Sequence, residues 1–405
     1  MKIAFITSVF PKLSETFILN QITGLIDRGH SVEIFANRAP DEDLVHRDVE
    51  KYNLLDRVHY IKIPVGGAAR YKNLPALLRR TTISHSSMLL NSLNVFKYKR
   101  QALSLYMFYR AAYFCGDFDI FHCHFGQNGN LGASLKELGA KAALVTTFHG
   151  CDIRLGQDKG GEIYRKLFRY GDCFLSISDY NYDNLVNFGL DPEKITYLPV
   201  GINMDRFSGC TPGKVPEGDS PIKIVTVGRL VEEKGLRHGI QAVKKVLTQF
   251  PDREIEYLIA GEGPLKNELK ELAERLGLTK NIQFLGPLCQ EEVVNLLNQG
   301  HIFFLPSIAE ALPVCLMEAQ AAFLPVVATD VGSVRQLVLD DRTGFIAEPE
   351  NADDMALKMG LLLDMPERWA QMGEAGRQHI ADNYDIDKLN DRLVQIYRKL
   401  CSTNQ

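Results

Sequence analysis

Short apolar runs alternate with longer stretches of helical periodicity along most of this chain, a pattern typical of strands that alternate with helices. The first series of strand-like runs is Lys2–Thr7, Ser31–Ala36, Ile120–His124, Ala143–Phe148, Cys173–Ser178 and Ile195–Leu198. The second series is Ile222–Val227, Glu256–Ala260, Ile282–Leu285, Ile302–Pro306 and Val326–Ala328. Strands separated by helices predict parallel sheets that carry helices on both faces, which is an α/β class of fold.

The two series indicate two doubly wound domains, and a length of 405 residues agrees with that number. Ser208–Pro221, rich in Gly, Pro and Ser, resembles a linker. We therefore expect one Rossmann-like domain over 1–205 and a second over 206–384. The last stretch, 385–405, is predicted to form a helix. Its apolar stripe at helical spacing is Leu389, Leu393, Ile396 and Tyr397.

Composition and charge narrow the class of protein. Apolar residues make up 45% and charged residues 24% of the chain, as in a globular protein. The net charge of −4 argues against a dedicated nucleic-acid binder. The opening apolar strand is shorter than the core of a signal peptide, and no apolar stretch has the length of a membrane span. These features predict a cytoplasmic location.

One stretch departs from this average, because 57–116 contains no Asp or Glu. Its cations are Arg57, Lys62, Arg70, Lys72, Arg79, Arg80, Lys97, Lys99, Arg100 and Arg110, with many Leu, Tyr and Phe between them. One interpretation is a surface that contacts anionic lipid at the inner face of the plasma membrane, or an anionic acceptor. The other is an ordinary solvated basic face, and the pattern leaves both open.

In the second half, two strands end in residues that could bind a phosphate-containing ligand. The strand Ile222–Val227 ends at Gly228-Arg229, and Lys234 follows five residues later. Arg offers a planar fork for phosphate oxygens and Lys a mobile point charge. The alternative is a solvated loop in which Lys234 pairs with a neighbouring glutamate. The next strand runs into Gly261 and Gly263, which permit a close backbone approach to a ligand, or a plain turn.

Glu310 and Glu318 lie eight positions apart in a segment that reads as loop, helix and buried strand. Pro313 is predicted in the first helical turn, where its missing N–H costs nothing. Glu310 would then stand at the helix N-terminus, where free N–H groups favour a phosphate. A carboxylate beside that phosphate would hold sugar hydroxyls. The alternative is two solvated glutamates on an amphipathic helix.

In the first half, His149 and Asp152 follow the strand Ala143–Phe148, where a ligand hydroxyl or phosphate could meet them. His122 and His124 would share one face of a strand, and no third ligand at a recognisable spacing supports a metal there. Asp117–Asp119 precedes a strand, away from the ligand edge, so we predict no metal site. Ser14 is predicted to cap the helix that begins near Glu15.

In order, these motifs resemble the retaining nucleotide-sugar glycosyltransferases of family 4, which have the GT-B fold of two Rossmann-like domains facing across a cleft. They are His149-Gly150-x-Asp152, Gly228-Arg229-Leu230 with Lys234-Gly235, Gly261-x-Gly263-Pro264, and Glu310-x7-Glu318 with Pro325-Val326-Val327-Ala328-Thr329. The opening segment, Phe10-Pro11 and Ser14–Ile18, is similar to the branch that builds exopolysaccharides such as colanic acid.

The resemblance implies a role for each motif. Arg229 and Lys234 would grip the donor diphosphate, Glu318 the ribose, and His149 the donor sugar near the reacting carbon. Glu310 would hold sugar hydroxyls beside the backbone of Ala311, Leu312, Pro313 and Val314. The remaining donor-binding residues would be Ser14, Asp152, Gly228, Gly261, Gly263 and, near the base, Leu285. Relatives usually have Gly at Ala311 and at Phe323, so we expect an altered donor preference from Ala311, and altered packing or a different turn at Phe323. The C-terminal helix of this family crosses back to the first domain, so the resemblance implies that 385–405 packs there.

The implied reaction moves a hexosyl group from a nucleotide diphosphate sugar to a glycan or lipid-linked acceptor, with retention and without a metal or other cofactor. Two alternatives stay open. One is a nucleotide-sugar 2-epimerase of the same architecture, and the other a non-catalytic subunit that only binds nucleotide sugar.

Overall fold

The computed structural model of the chain describes residues 1–12, 15–40, 46–78, 86–212, 215–216 and 220–403. Two compact units are present. Met1–Pro199 with Leu389–Gln405 form unit 1, and Val200–Lys388 form unit 2. Each unit has its own parallel sheet and its own apolar core, so the two Rossmann-like folds predicted from the pattern are confirmed.

Unit 1 is built on a seven-stranded sheet with the order β3-β2-β1-β4-β5-β6-β7. Its strands are β1 Lys2–Val9, β2 Ser31–Arg38, β3 Val58–Tyr60, β4 Ile120–His124, β5 Ala143–Phe148, β6 Cys173–Ser176 and β7 Ile195–Tyr197. All neighbouring pairs are parallel. The strand order reverses between β1 and β4, and ligands of such sheets bind outside the carboxyl ends at this switch point.

The helices of unit 1 cover both faces of this sheet. They are α1 Thr16–Asp27, α2 Arg47–Lys51, α3 Gly67–Leu78, α4 Ser86–Ser92, α5 Val95–Tyr98, α6 Arg100–Leu103, α7 Tyr106–Tyr113, α8 Gly126–Glu137, α9 Gly150–Lys159, α10 Arg165–Tyr170 and α11 Asp179–Asn187. The C-terminal stripe of Leu389, Leu393 and Tyr397 is buried in the same core as Phe5 and Val145. These contacts bring the end of the chain against the β1-β4-β5 part of the sheet.

Unit 2 has a six-stranded parallel sheet in the order β10-β9-β8-β11-β12-β13. Its strands are β8 Ile222–Val227, β9 Ile255–Ala260, β10 Ile282–Gly286, β11 Ile302–Leu305, β12 Val326–Thr329 and β13 Gly344–Ala347. Its helices are α12 Leu236–Gln249, α13 Lys266–Arg275, α14 Gln290–Gln299, α15 Val314–Ala321, α16 Val334–Leu337, α17 Ala352–Asp364 and α18 Trp369–Asn383, before α19 Ile386–Thr403. The switch point lies between β8 and β11.

Two edge strands escaped the sequence pattern. β3 has only three residues, none of them fully buried, and it lies inside the basic stretch. β13 begins at Gly344, whose φ of 155° and close approach to the Val326 carbonyl suit glycine alone. β3 offers no run of apolar side chains by which a strand is recognised, and β13 offers only Phe345, Ile346 and Ala347 after its glycine.

Candidate functional site

In unit 2, the carboxyl ends of β8 and β11 flank the switch point of the sheet. Gly228 and Arg229 follow β8 directly, and a short 3₁₀ turn, Glu232–Lys234, comes next. The segment from Ser307 to Pro313 follows β11 and leads into α15. The motifs that resemble a donor-binding site therefore converge on the edge of the sheet where this fold class binds ligands.

The two charges that the resemblance assigned to different parts of the donor contact each other. Lys234 Nζ lies 2.5 Å from Glu310 Oε1, and the two side chains are 18% and 11% exposed. Burial by itself lowers the pKa of Lys234, but the charge of Glu310 and its hydrogen bond raise that pKa above the ordinary 10.5. The alternative that Lys234 pairs with a neighbouring glutamate is wrong, since its partner lies 76 positions away.

Several contacts hold the Glu310 loop in place. Ser307 Oγ donates to Glu310 Oε1 at 2.7 Å, so both polar contacts of this carboxylate fall on one oxygen. The carbonyl of Glu233 accepts from the N–H groups of Ile308 and Ala309. Oε2 forms no hydrogen bond or ion pair with any described residue and remains available to a hydroxyl.

Gly332 is a part of this loop's support that sequence reasoning missed. Its φ is 54°, and a Cβ there would lie 1.7 Å from the Glu310 carbonyl oxygen. Only glycine fits this left-handed conformation and this close approach without strain. The sequence shows a glycine three residues after the end of β12, but it does not show that this glycine lies against Glu310.

The start of α15 differs from the prediction. The helix begins at Val314, and Pro313 precedes it with an extended backbone at φ −75° and ψ 107°. Pro313 is therefore the residue before the helix, and its predicted place in the first turn is wrong. Glu310 lies in the loop four residues ahead of the first helical residue. Ala311 and Leu312 bridge the two, and Leu312 is buried.

Gly261 and Gly263 are required by packing between two loops. A Cβ on Gly261, where φ is 140°, would lie 1.9 Å from the Gly228 carbonyl oxygen. A Cβ on Gly263 would lie 2.4 Å from the carbonyl oxygen of Leu230. The glycines thus let the turn after β9 lie against the turn after β8, which carries Arg229.

Arg229 and Leu285 present their side chains to solvent at this edge. Arg229 is exposed and forms no ion pair with any residue that the structure describes. Leu285, at the end of β10, is 38% exposed. A free guanidinium beside the Lys234–Glu310 pair is available to an anion, and an exposed leucine is available to a flat apolar group.

Glu318 lies in α15, about one turn after its first residue, Val314. Burial raises the pKa of Glu318 to about 7, and Arg206 opposes that shift. The Cys315 thiol is influenced by the charges of Lys234, Glu310 and Glu318 together, so the three groups share one neighbourhood. Near neutral pH, Glu318 is divided between its protonated and ionised forms.

Phe323 adopts the left-handed backbone conformation that a glycine usually provides after a helix. α15 ends at Ala321, and Phe323 has a left-handed φ of 64°. The guanidinium of Arg377 lies 4.7 Å from the ring centroid of Phe323 and also donates to the carbonyl of Ala321. The bulk of Phe323 is thus accommodated by a cation–π contact, without a different turn.

In unit 1, His149 follows β5 and is 5% exposed. The ring contacts those of Phe17 and Phe125, with centroid separations of 4.7 Å to each and tilted planes. Burial lowers the pKa of His149 to about 3, so the imidazole is neutral at physiological pH. A neutral imidazole can exchange hydrogen bonds with a sugar hydroxyl but cannot neutralise a phosphate.

Asp152 has no exposed surface, and its carboxylate accepts three backbone N–H groups. Oδ1 accepts from His149 at 2.8 Å and Ile153 at 3.1 Å, and Oδ2 accepts from Gly126 at 2.9 Å. Burial raises the pKa of Asp152 to about 7, against the lowering by these N–H groups. These contacts favour a structural role that ties the His149 loop to the start of α8. Ser14 lies outside the described residues.

His122 and His124 form hydrogen bonds at the end of β4. His122 contacts Thr147 Oγ1 at 2.7 Å and the hydroxyl of Tyr397 at 2.6 Å. His124 Nδ1 lies 3.1 Å from His149 Nε2. Sequence reasoning missed this link to His149, because the two residues are 25 positions apart on neighbouring strands.

Comparisons with known proteins agree with this arrangement. A family model described as Glycosyltransferase Family 4 matches residues 14–206, and one described as Glycosyl transferases group 1 matches residues 211–379. The putative colanic acid biosynthesis glycosyltransferase WcaL of Escherichia coli (strain K12) is 31% identical over 417 residues, which cover 99% of this chain and 100% of WcaL. The amylovoran biosynthesis glycosyltransferase AmsK of Erwinia amylovora is 32% identical over 370 residues, covering 88% of this chain and 89% of AmsK.

Among solved structures, Anabaena Alr3699/HepE in complex with UDP superposes with a TM-score of 0.74 at 15% identity, covering 98% of this chain and 100% of that one. This likeness shows the fold, and the WcaL similarity extends over the full length of the relative. The chain therefore belongs to glycosyltransferase family 4, and it is a glycosyltransferase of the two-domain GT-B fold.

Proposed function

We propose that this enzyme moves a hexosyl group from a nucleotide diphosphate sugar to an acceptor hydroxyl with retention of anomeric configuration. The acceptor would be a growing or lipid-linked glycan in exopolysaccharide or other cell-surface glycan synthesis. The names of WcaL and AmsK, both exopolysaccharide glycosyltransferases, support this assignment. The UDP bound to Alr3699/HepE supports a nucleotide-linked donor.

The observation that carries the proposal is the charge arrangement at the switch point of unit 2. Arg229 is an exposed cation, Lys234 is a cation held in place by Glu310, and Glu310 keeps one oxygen free. A nucleotide diphosphate sugar has a dianionic diphosphate and sugar hydroxyls next to each other. The cations match the first group and the free carboxylate oxygen the second.

The chemistry asks the protein to stabilise a leaving group. The bond between the anomeric carbon and the diphosphate oxygen breaks, and a bond from the acceptor oxygen to the same face of that carbon forms. The acceptor proton passes to the departing phosphate oxygen. Negative charge develops on the diphosphate as this happens, so Arg229 and Lys234 stabilise the transition state more than the ground state.

We propose that the reaction needs no metal, because Arg229 and Lys234 supply the positive charge that a divalent metal provides in other transferases. The matching experiment is turnover in excess EDTA with and without added Mn²⁺. Unchanged turnover in EDTA supports the proposal. Complete loss that Mn²⁺ restores would overturn it.

The resemblance to the family suggests the remaining donor contacts. Glu318 would hold ribose hydroxyls, Leu285 would lie near the base, and His149 would meet the donor sugar as a neutral hydrogen-bonding group. Ala311 adds one methyl group where relatives usually have glycine, directly after Glu310. We propose that this methyl group restricts which hexose the loop accepts.

Donor binding is tested by thermal stabilisation with UDP, GDP and a panel of their hexose conjugates, followed by turnover of the best donor. Arg229→Ala and Lys234→Ala should each lower kcat/KM by roughly 10²- to 10³-fold, the scale of a lost transition-state donor. Lys270→Ala, an exposed cation on α13, is the matched control and should leave kcat/KM unchanged. Near-normal turnover in the Arg229→Ala, Lys234→Ala double variant would refute the scheme.

Incubation with donor alone separates the transferase from the 2-epimerase alternative. A transferase gives at most slow hydrolysis to nucleoside diphosphate and free sugar. Accumulation of an epimeric nucleotide sugar would replace the transferase assignment.

The basic stretch over 57–116 suggests where the acceptor is found. Phe96 is 98% exposed and Val65 is 94% exposed, and Lys99 and Arg100 are exposed beside Phe96. Lys97 is ion-paired with Glu137 at 3.3 Å, so its charge is partly neutralised. Among the described helices, none is both long and apolar enough to cross a membrane. Arg79 and Arg80 lie outside the described residues. We propose that the described helices of this stretch, α3 to α7, contact anionic lipid and thereby bring the site to a lipid-linked acceptor.

Co-sedimentation with phosphatidylglycerol vesicles tests the contact, with phosphatidylcholine vesicles as the neutral control. Lys99→Glu with Arg100→Glu should weaken binding by on the order of ten-fold or more, and Phe96→Ser should weaken it at high salt. Lys270→Glu with Lys280→Glu gives the same change in net charge on unit 2 and should retain binding. Equal binding by both charge-reversed proteins would overturn the proposed surface.

A further inference from the structure

His149 is held by a residue to which no role has yet been given. His124 is the last residue of β4, and it pairs in register with Thr147 of β5, two residues before His149. Its side chain is fully buried. The rings of His124 and His149 are stacked at a centroid distance of 5.4 Å and an interplanar angle of 19°, and Nδ1 of the first lies 3.1 Å from Nε2 of the second.

Neither ring carries a charge under physiological conditions. Burial lowers the pKa of His124 well below its ordinary 6.5 and that of His149 to about 3. A neutral imidazole has one N–H and one bare nitrogen. The hydrogen bond at 3.1 Å therefore requires one ring to donate and the other to accept, so the tautomer of His149 is coupled to that of His124.

The side chain of His124 forms a single hydrogen bond among the described residues, from Nδ1 to His149. Its Nε2 is buried with no hydrogen-bond partner among the described residues. A buried polar atom without a partner costs free energy, and a leucine would fill such a position without that cost. The use of histidine here is accounted for by Nδ1 alone, and the sole partner of Nδ1 is His149.

The loop around His149 is also kept in a strained conformation. Phe125, directly after His124, has φ 71° and ψ 139°, a region that is almost confined to glycine. Its N–H donates to the Thr147 carbonyl, and the next N–H, of Gly126, donates to Asp152. These bonds hold the Phe125 ring 4.7 Å from that of His149, so the His149 ring is enclosed by the rings of Phe17, Phe125 and His124.

We infer that His124 is a positioning residue, which sets the ring orientation and tautomer of His149 through Nδ1. The inference rests on the proposed contact between His149 and the donor sugar for its effect on turnover. Its effect on the state of His149 stands without that contact.

The shape of the side chains gives a sharp test. The amide of Asn reaches about as far as Nδ1 of histidine, whereas the amide of Gln reaches about as far as Nε2. His124→Asn should preserve the bond to His149 and discard only the atom that has no partner. His124→Gln and His124→Leu should lose the bond, and each should raise the donor KM or lower kcat/KM on the order of ten-fold.

The direct readout is the ¹⁵N chemical shifts of the His149 ring nitrogens, which report the tautomer in full-length labelled protein. We expect wild-type shifts in His124→Asn and altered shifts or a tautomer mixture in His124→Leu. His122→Asn is the control for loss of a buried histidine in the same strand, since His122 bonds Thr147 and Tyr397. It should lower the melting temperature and leave the His149 shifts unchanged.

Unchanged His149 shifts in both His124→Gln and His124→Leu would overturn the inference. Altered shifts with normal donor kinetics would instead keep the positioning role and remove His149 from the proposed donor site. If the leucine variant does not fold, the comparison of the Asn and Gln variants still decides between the outcomes.

Discussion

The Lys234–Glu310 ion pair makes a quantitative prediction. At 2.5 Å, with both side chains less than a fifth exposed, the attraction is about 6–7 kcal/mol at an effective dielectric of about 20. Desolvation of the two charges costs several kcal/mol each, so the net contribution of the pair is small. Removal of one partner leaves the other charge buried alone. Lys234→Met or Glu310→Gln should each lower the free energy of unfolding by about 3–5 kcal/mol.

The double variant should recover most of that loss, because no uncompensated charge remains. Trp369, the only tryptophan of the chain, is buried in the unit 2 core, so its fluorescence in urea reports the unfolding of this unit. The exposed pair Lys266–Glu262, at 2.8 Å, is the control, and its coupling should stay below about 1 kcal/mol. Additive effects of Lys234→Met and Glu310→Gln would refute the reasoning.

Three further predictions follow from single contacts. Gly332→Ala should disturb the Glu310 loop and lower kcat/KM far more than the control Gly277→Ala. Gly277 also has a left-handed φ, of 70°, but nothing lies within 4 Å of its Cβ position. An alanine there costs only about 1–2 kcal/mol of backbone strain. Burial raises the pKa of Glu318 in the folded state to about 7, so the folded state binds this proton more tightly than the unfolded state does. The free energy of unfolding should therefore fall as pH rises from about 4.5 to 7. Glu318→Gln should remove about 2–3 kcal/mol of this pH dependence, measured by urea titrations. Tyr397→Phe should cost about 1–3 kcal/mol by leaving His122 Nδ1 without its partner, whereas Tyr180→Phe, whose hydroxyl bonds Gln157 at the surface, should change the melting temperature little.

The sequence predicted the parallel sheets and the edge on which the site lies, because strand ends can be read from apolar runs. The positions of Arg229, Glu310 and His149 at carboxyl ends of strands follow from that alone. The sequence does not predict which charged side chains form ion pairs with each other. Lys234 has two glutamates as chain neighbours, yet Glu232 pairs with Arg237 and Lys234 with Glu310.

Loop conformation was the second limit. Pro at the first position of a helix is a good general rule, but the loop before α15 is set by contacts to Glu233 and Gly332 that lie far away along the chain. The same holds for Phe323, whose left-handed φ is sustained by Arg377 from α18. The local sequence indicates which residues can adopt a given backbone conformation. Tertiary contacts determine which of these residues adopt it in the folded protein.

The proposed retention of anomeric configuration is tested most directly by the configuration of the product. Donor of known anomeric configuration is turned over by the wild-type enzyme, and the new glycosidic linkage is assigned by ¹H NMR before any mutarotation of free sugar. Departure of the diphosphate from the face on which the acceptor attacks predicts the configuration of the donor in the product. A product of inverted configuration would contradict the account, because the proton could then no longer pass to the departing phosphate oxygen.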